Sequence, residues 1–137
     1  MHSPQYPAEF NWAVRVYYED TDAGGIVYHA RYLHFLERAR TEWLRALGFN
    51  QSELKQQNIV FVVRDMSIHF HQPARLDDEL TVEVKIKQIK RASISMRQAI
   101  RLRDQTLVTA DVTIPCLQAD TLKPCPLPET MSKQIHE

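Results

Sequence analysis

Two aspartates, two adjacent glycines and two histidines crowd into YYEDTDAGGIVYHARYLHF at residues 17–35, at the entrance of an amphipathic run. Several chemistries use such residues, and spacing separates them. Asp20, Asp22 and Gly25 fit positions one, three and six of a calcium loop, but position twelve is Arg31 rather than a bidentate glutamate. Gly24-Gly25 lacks the following Lys-Ser or Lys-Thr of a phosphate loop. His29 and His34 have neither H-E-x-x-H spacing nor a third ligand, so no metal is expected. No G-x-S-x-G elbow marks a serine hydrolase.

What remains is a carboxylate placed just before a helix start. The first turn of a helix offers unpaired backbone N–H groups and the positive end of its dipole. Such donors hold an oxyanion developing on a carbonyl carbon. An Asp beside them attacks that carbon or activates water, and Gly24 and Gly25 let a substrate approach the backbone closely. The arrangement suits acyl transfer. An Asp before a helix is usually a cap or turn former, and Gly-Gly usually a plain bend. Spacing alone leaves both readings open.

The elements that must position these residues follow from periodicity. Pro4 and Pro7 suggest an irregular lead-in. Trp12, Val14, Val16 and Tyr18 alternate with Arg15 and Tyr17, which predicts a strand over 12–18 with Tyr18 on its apolar face. From about residue 29 the period changes, and Tyr32, Leu36, Ala39, Trp43 and Leu47 make a helical stripe widened by Leu33, Leu44 and the stem of Arg40. Gly48 suits a helix stop and Asn50 the cap of a short turn over QSELKQQ.

The sequence after residue 58 is strand-like. IVFVVRDMSIHF opens as an apolar run and ends in alternation through Met66, Ile68 and Phe70. Three further alternating sets begin at Leu80, Ile94 and Val108, with Asp104-Gln105 as the tip between the last two. Pro115, Pro124, Pro126 and Pro128 mark a tail leaving the sheet. The pattern predicts an α+β fold, an antiparallel sheet of about five strands curling around one long helix. Exposed sheet edges favour pairing with a second copy.

At 137 residues the chain fits one domain, 1–137, with a core over 12–128 and short irregular termini. Seventeen basic and seventeen acidic residues cancel, so no global field draws it to nucleic acid or anionic lipid. The longest aliphatic run, IVFVV, is too short to cross a bilayer, and the N-terminus has no signal-peptide pattern. Cys116 and Cys125 have no metal-type spacing and are too few for a disulfide framework, and Cys116 reads as a small core residue. A reducing cytoplasm is expected.

The stretch VRVYYEDTDAGGIVYHARYLHFLERARTEWL, continued by FVVRDMSIHFHQPARLDDEL, closely resembles the signature of hotdog-fold acyl-CoA thioesterases of the 4-hydroxybenzoyl-CoA thioesterase family. Within it the likeness is to the YbgC type, encoded beside the Tol–Pal envelope system. The resemblance covers residues 12–82 strongly and the later strands more loosely. It implies a hotdog fold, homodimers commonly paired into homotetramers, and an active site at the dimer interface. The family's catalytic aspartate maps onto Asp22, with Tyr18 and His29 accompanying it and an oxyanion hole at or next to His29. Asp20 then has a turn or ion-pair role, and Glu37 a surface or interface role.

Between Lys85 and Arg103 stand seven basic residues and no acid. Most of them read as a solvated sheet face. Lys90, Arg91 and Ser93 differ because they surround a strand connection, and IKRASI resembles the segment with which relatives hold the CoA phosphates. Val62, Val63 and Met66 are expected to line the acyl pocket. The expected function is acyl-CoA thioester hydrolysis, leaning to short-chain aliphatic substrates, with coenzyme A as part of the substrate and no other cofactor. Acyl carrier protein is a further partner, and a site peripheral to the inner membrane a further location. The alternative is a non-catalytic acyl-CoA or acyl-carrier-protein adaptor at the cell envelope. A hotdog dehydratase fits less well, since the chain lacks that family's His plus Asp or Glu pattern.

Overall fold

The computed structural model describes residues 9–135; the predicted lead-in at Pro4 and Pro7 lies outside them. In chain order it contains β1 (Glu9–Arg15), a 3-10 turn (Tyr18–Asp20), α1 (His29–Ala46), α2 (Gln51–Gln56), β2 (Ile59–Phe61) and β3 (Asp65–Phe70). Then come β4 (Glu79–Lys90), β5 (Ser93–Leu102), β6 (Gln105–Gln118) and α3 (Glu129–Gln134). All strand pairs are antiparallel, in the order β1-β4-β5-β6-β2, with β3 also on β6. The sheet curls around α1, the hotdog arrangement expected. It has six strands because the 59–70 run breaks at Val62–Arg64.

α1 exists because its inward stripe can be buried along most of its length. Tyr32, Phe35, Leu36, Ala39, Trp43 and Leu44 are all buried. They meet Val82, Val84, Met96, Ile100, Val108 and Val112 from the inner face of the strands. Leu33, placed in the stripe by sequence, is instead 43% exposed, and Phe35 takes the inward place. Leu33 shares its outward face with Glu37 and Thr41, one helical turn apart. The helix stops as expected: Gly48 has φ +92°, and its successor Phe49 donates to Leu44 O at 3.0 Å. Asn50 Oδ1 accepts from Glu53 N at 2.8 Å and caps α2.

Several boundaries moved. β1 runs from Glu9 and ends at Arg15, so Val16 is buried but Tyr18 leaves the apolar face and is 82% exposed. The cause is Asp20, whose Oδ2 accepts from Tyr17 N at 2.9 Å and bends the chain into the 3-10 turn. The β5–β6 tip is Arg103-Asp104, with Arg103 at φ +55°, because Gln105 already pairs with Leu102. Pro115 sits inside β6 rather than in a departing tail. Cys116 N donates toward Ala92 O, so the neighbouring Pro115 nitrogen faces the other way, toward Val62–Arg64. There the ladder is already interrupted: Val62, Val63 and Arg64 lie opposite only Ile114 and Pro115, a bulge of one residue. The missing N–H leaves no partner stranded.

The core also extends past residue 128. α3 was not foreseen, yet Met131 is fully buried, and Leu127 and Ile135 nearly so. They close one end of the sheet, held by the Leu127 N to Arg91 O hydrogen bond of 2.8 Å.

Candidate active site

Asp22 stands at the tip of a small hairpin made by the bridge between Thr21 and Val27. Asp22 N donates to Ile26 O at 2.9 Å, and Gly25 N to Asp22 O at 3.0 Å. Gly25 has φ +80°, a left-handed conformation that glycine adopts without strain. The Asp22 side chain joins the turn as well, its Oδ1 accepting from Gly24 N at 2.8 Å. One carboxylate oxygen is thus fixed, while the residue as a whole is solvent-exposed. No cation reaches it within ion-pair distance among the described residues.

Asp20, two residues earlier, behaves differently. It is 7% exposed, holds Tyr17 N, and lies 3.5 Å from the Arg31 Nε on the first turn of α1. Its backbone O accepts from Tyr28 N at 3.0 Å. Asp20 therefore ties the hairpin to the helix, and the acid left facing solvent is Asp22.

The helix start beside this hairpin is bare. Tyr28 precedes it without a side-chain cap, and no acidic residue occupies its first turn. The N–H groups of His29 and Ala30 find no acceptor among the described residues. Such an end is ready for an anion. The entry to the helix is held from below, since Val27 N donates to Ala74 O, and Ala74 N to the Tyr32 hydroxyl, both at 2.9 Å. Burial pushes the Tyr32 hydroxyl pKa above its usual value, so it stays protonated as it accepts that bond.

The residues expected at the site are not all brought together within one chain. His29 turns its ring onto Phe70, with centroids 4.6 Å apart, and helps line a shallow cavity of about 240 Å³ with Ile26, Tyr32, His71 and Pro73. Among the described residues no hydrogen bond links His29 or Tyr18 to Asp22. Tyr18 projects from the 3-10 turn, and Tyr17 and Tyr28 beside it are also exposed, at 63% and 59%.

A larger cavity, about 480 Å³, opens between one flank of α1 and the sheet beside residues 61–63. Val62 and Val63 line it with Glu37, Arg40, Trp43 and Phe61. Met66 does not. It faces inward opposite Val112 and borders a separate groove, because the bulge at 62–64 shifts the alternation of the strand that follows. Sequence reasoning passed over Gln98, which is completely buried in the inward series of β5. Its Oε1 accepts from Arg40 Nη1 at 2.9 Å, and its Nε2 donates to Leu36 O at 3.1 Å. Burial lowers the Arg40 pKa from its usual value, and Glu37 opposes that shift. The visible signal was a polar residue interrupting the series Ile94, Met96, Ile100.

The basic stripe is only partly paired. Lys85 pairs with Glu9, Lys87 and Arg97 share Asp111, and Arg101 bonds Thr106. Lys90 and Arg91, at the β4–β5 turn with Ser93, make no ion pair among the described residues. Among the described residues no three His, Cys, Asp or Glu side chains gather as a metal group. No described helix is long and apolar enough to cross a membrane.

Comparison with known proteins adds sequence and structural relatives. The model of the thioesterase superfamily matches residues 24–109, beginning two residues after Asp22. The chain is 45% identical to the acyl-CoA thioesterase YbgC of Haemophilus influenzae, covering 93% of this chain and 94% of that protein. It is 46% identical to the acyl-CoA thioester hydrolase YbgC of Escherichia coli, covering 93% and 96%. The crystal structure of a probable thioesterase from Bartonella henselae superimposes with a TM-score of 0.84 at 42% identity, covering 88% of this chain and 99% of that one.

Proposed function

The chain belongs to the thioesterase superfamily, and from that premise we propose that it hydrolyses acyl-CoA thioesters with Asp22 as nucleophile or general base. The observation that carries the reading is an exposed carboxylate, pinned through one oxygen, beside a helix start with unpaired N–H groups. The thioester carbonyl oxygen docks on the N–H groups at His29 and Ala30. Asp22 then attacks the carbon directly or takes a proton from the water that attacks it. Negative charge gathers on the carbonyl oxygen, where the helix donors are already aimed. Collapse expels the CoA thiolate, a good leaving group that needs little protonation. Where Asp22 itself attacked, water then cleaves the resulting mixed anhydride, releasing the free acid and restoring the carboxylate. Tyr18 and His29 supply further hydrogen bonds to water or substrate.

The acyl chain lies along α1 toward the 480 Å³ cavity, whose Trp43, Phe61, Val62 and Val63 walls suit an aliphatic group. We assign Lys90, Arg91 and Ser93 to the CoA phosphates, supported by the unpaired charges at that turn. A second copy completes the site. Its support is the open edge at β2 and β3, flanked by Leu33, Val62, Val63 and Phe70, each 39–44% exposed. Short-chain aliphatic acyl-CoA is the proposed substrate class, in a homodimer that pairs into a tetramer. A cytoplasmic role beside the Tol–Pal system belongs to the same proposal, with acyl carrier protein as a second carrier.

Thiol release from a panel of acyl-CoAs, short to long and one aromatic, tests this. Turnover fastest on short aliphatic chains is expected. Binding of CoA esters with no thiol released from any of them overturns the enzyme and leaves the adaptor.

A further inference from the structure

Cys116 and Cys125 are nine positions apart in sequence but opposite each other in space. β6 continues past its pairing with β5 into a small antiparallel ladder with the tail: Gln118 N donates to Lys123 O at 2.8 Å, and Cys125 N to Cys116 O at 2.9 Å. Leu117 and Pro124 bridge between them. The two Sγ atoms come to 3.6 Å. Cys116 is wholly buried, whereas Cys125 is partly open to solvent.

We propose that Cys116 and Cys125 form a reversible oxidation site, closing to an intramolecular disulfide that fastens the C-terminal segment to β6. The oxidant is a low-molecular-weight disulfide. Cys125 thiolate, reachable from solvent, attacks one of its sulfurs, forming a mixed disulfide and releasing one small thiol. Cys116 loses its proton and attacks Cys125 Sγ, forming the Cys116–Cys125 bond and releasing the second small thiol. Two protein thiols are oxidised and one small disulfide is reduced to two thiols. The order follows from access. Burial, with Cys125 beside it, pushes the Cys116 thiol up to about 12, so Cys116 reacts only when the partner sulfur is already in place.

The bond would hold more than a loop. Beyond Cys125 the chain carries Leu127, Met131 and Ile135 into the core and gives Leu127 N to Arg91 O. Fastening residue 125 fixes the origin of the segment that closes the end of the sheet. Chains that lack a second cysteine opposite β6 have no such fastening.

The test uses the full chain equilibrated with oxidised glutathione, excess removed, then intact mass, peptide mapping and thermal unfolding. Expected are the loss of two hydrogens, a Cys116–Cys125 cross-link, and a Tm rise of about 5 °C or more, reversed by dithiothreitol. Cys125→Ser, at the more open position, should show neither the mass change nor the rise. Cys116→Ala should instead accumulate a glutathione adduct on Cys125. A lasting adduct on Cys125 of the wild type, a disulfide between chains, or no change overturns the proposal. A bond that forms without raising Tm also overturns it, because the segment is then not fastened.

Discussion

Replacing Asp22 with Asn separates chemistry from architecture, because only one carboxylate oxygen is used by the turn. Oδ1 accepts from Gly24 N at 2.8 Å, and an amide oxygen in its place accepts the same bond. The residue is exposed and has no ion pair among the described residues, so the fold should hardly notice the change. A stability loss within about 0.5 kcal/mol is expected, a Tm shift of about 2 °C or less. Asn cannot serve as the base or nucleophile, so kcat should fall roughly 10²–10⁴-fold. That is about 2.7–5.4 kcal/mol added to the barrier. Asp22→Ala is the companion: it also loses the turn acceptor and should cost about 1 kcal/mol of stability besides the activity. The assay is thiol release under saturating acyl-CoA, with Tm measured on the same preparations. If Asp22→Asn keeps a third or more of wild-type kcat, Asp22 is not in the mechanism. If it unfolds well below the wild type, the carboxylate is structural and the catalytic reading loses its footing.

Three further outcomes follow from the geometry. A Cβ on Gly24 would lie 3.3 Å from Asp22 Oδ1 and push the carboxylate aside, so Gly24→Ala should lower kcat about tenfold with Tm nearly unchanged. Equal kinetics would show that the carboxylate position is not critical. Lys90→Ala and Arg91→Ala should each raise KM for acyl-CoA several-fold, roughly 1 kcal/mol of binding, leave kcat in place, and lose that effect at high salt. A KM indifferent to both substitutions at low salt moves the phosphates elsewhere. Gln98→Leu should destabilise by about 2 kcal/mol because it strands a half-buried Arg40. Adding Arg40→Met should recover much of that loss in urea unfolding, and strict additivity of the two would refute the coupling.

The sequence shows most clearly what rests on neighbours in the chain. The α1 stripe, the Gly48 stop and the Asn50 cap depend on contacts within a few residues, and apart from Leu33, whose inward place Phe35 takes, each appears where the sequence places it. The stretch around Asp22 was legible as a turn before a helix for the same reason. Tyr18 was misplaced because alternation is blind to a side chain that bends its own backbone, as Asp20 does through Tyr17 N. Gln98 was passed over because its partner, Arg40, is 58 positions away. Met66 stands apart from Val62 and Val63 because nothing in IVFVVRD shows that one residue bulges out before the strand resumes. The approach of Cys116 to Cys125 was not legible because it depends on a turn at 119–122 with Leu122 at φ +60°. The proposed gathering of Tyr18 and His29 around Asp22 by a second copy would depend on surfaces between chains, which hydropathy patterning does not encode.

The bulge opposite Pro115 has a consequence for how such a pocket can change. Most of the sheet is a closed ledger of donors and acceptors, and inserting a residue into it would orphan amides and flip every later side chain. At Val62–Arg64 that constraint is relaxed: the facing position has no amide to satisfy, and Val62 N and Arg64 N reach past it to Pro115 O and Thr113 O. The segment is therefore freer than the regular ladder to vary in bulk while those two bonds to β6 are kept. Because Val62 and Val63 also form a wall of the cavity, the easiest place to alter this backbone is the place where alteration reshapes the space beside α1. Divergence of substrate range among related chains would then gather at these three residues, with the proline opposite them retained.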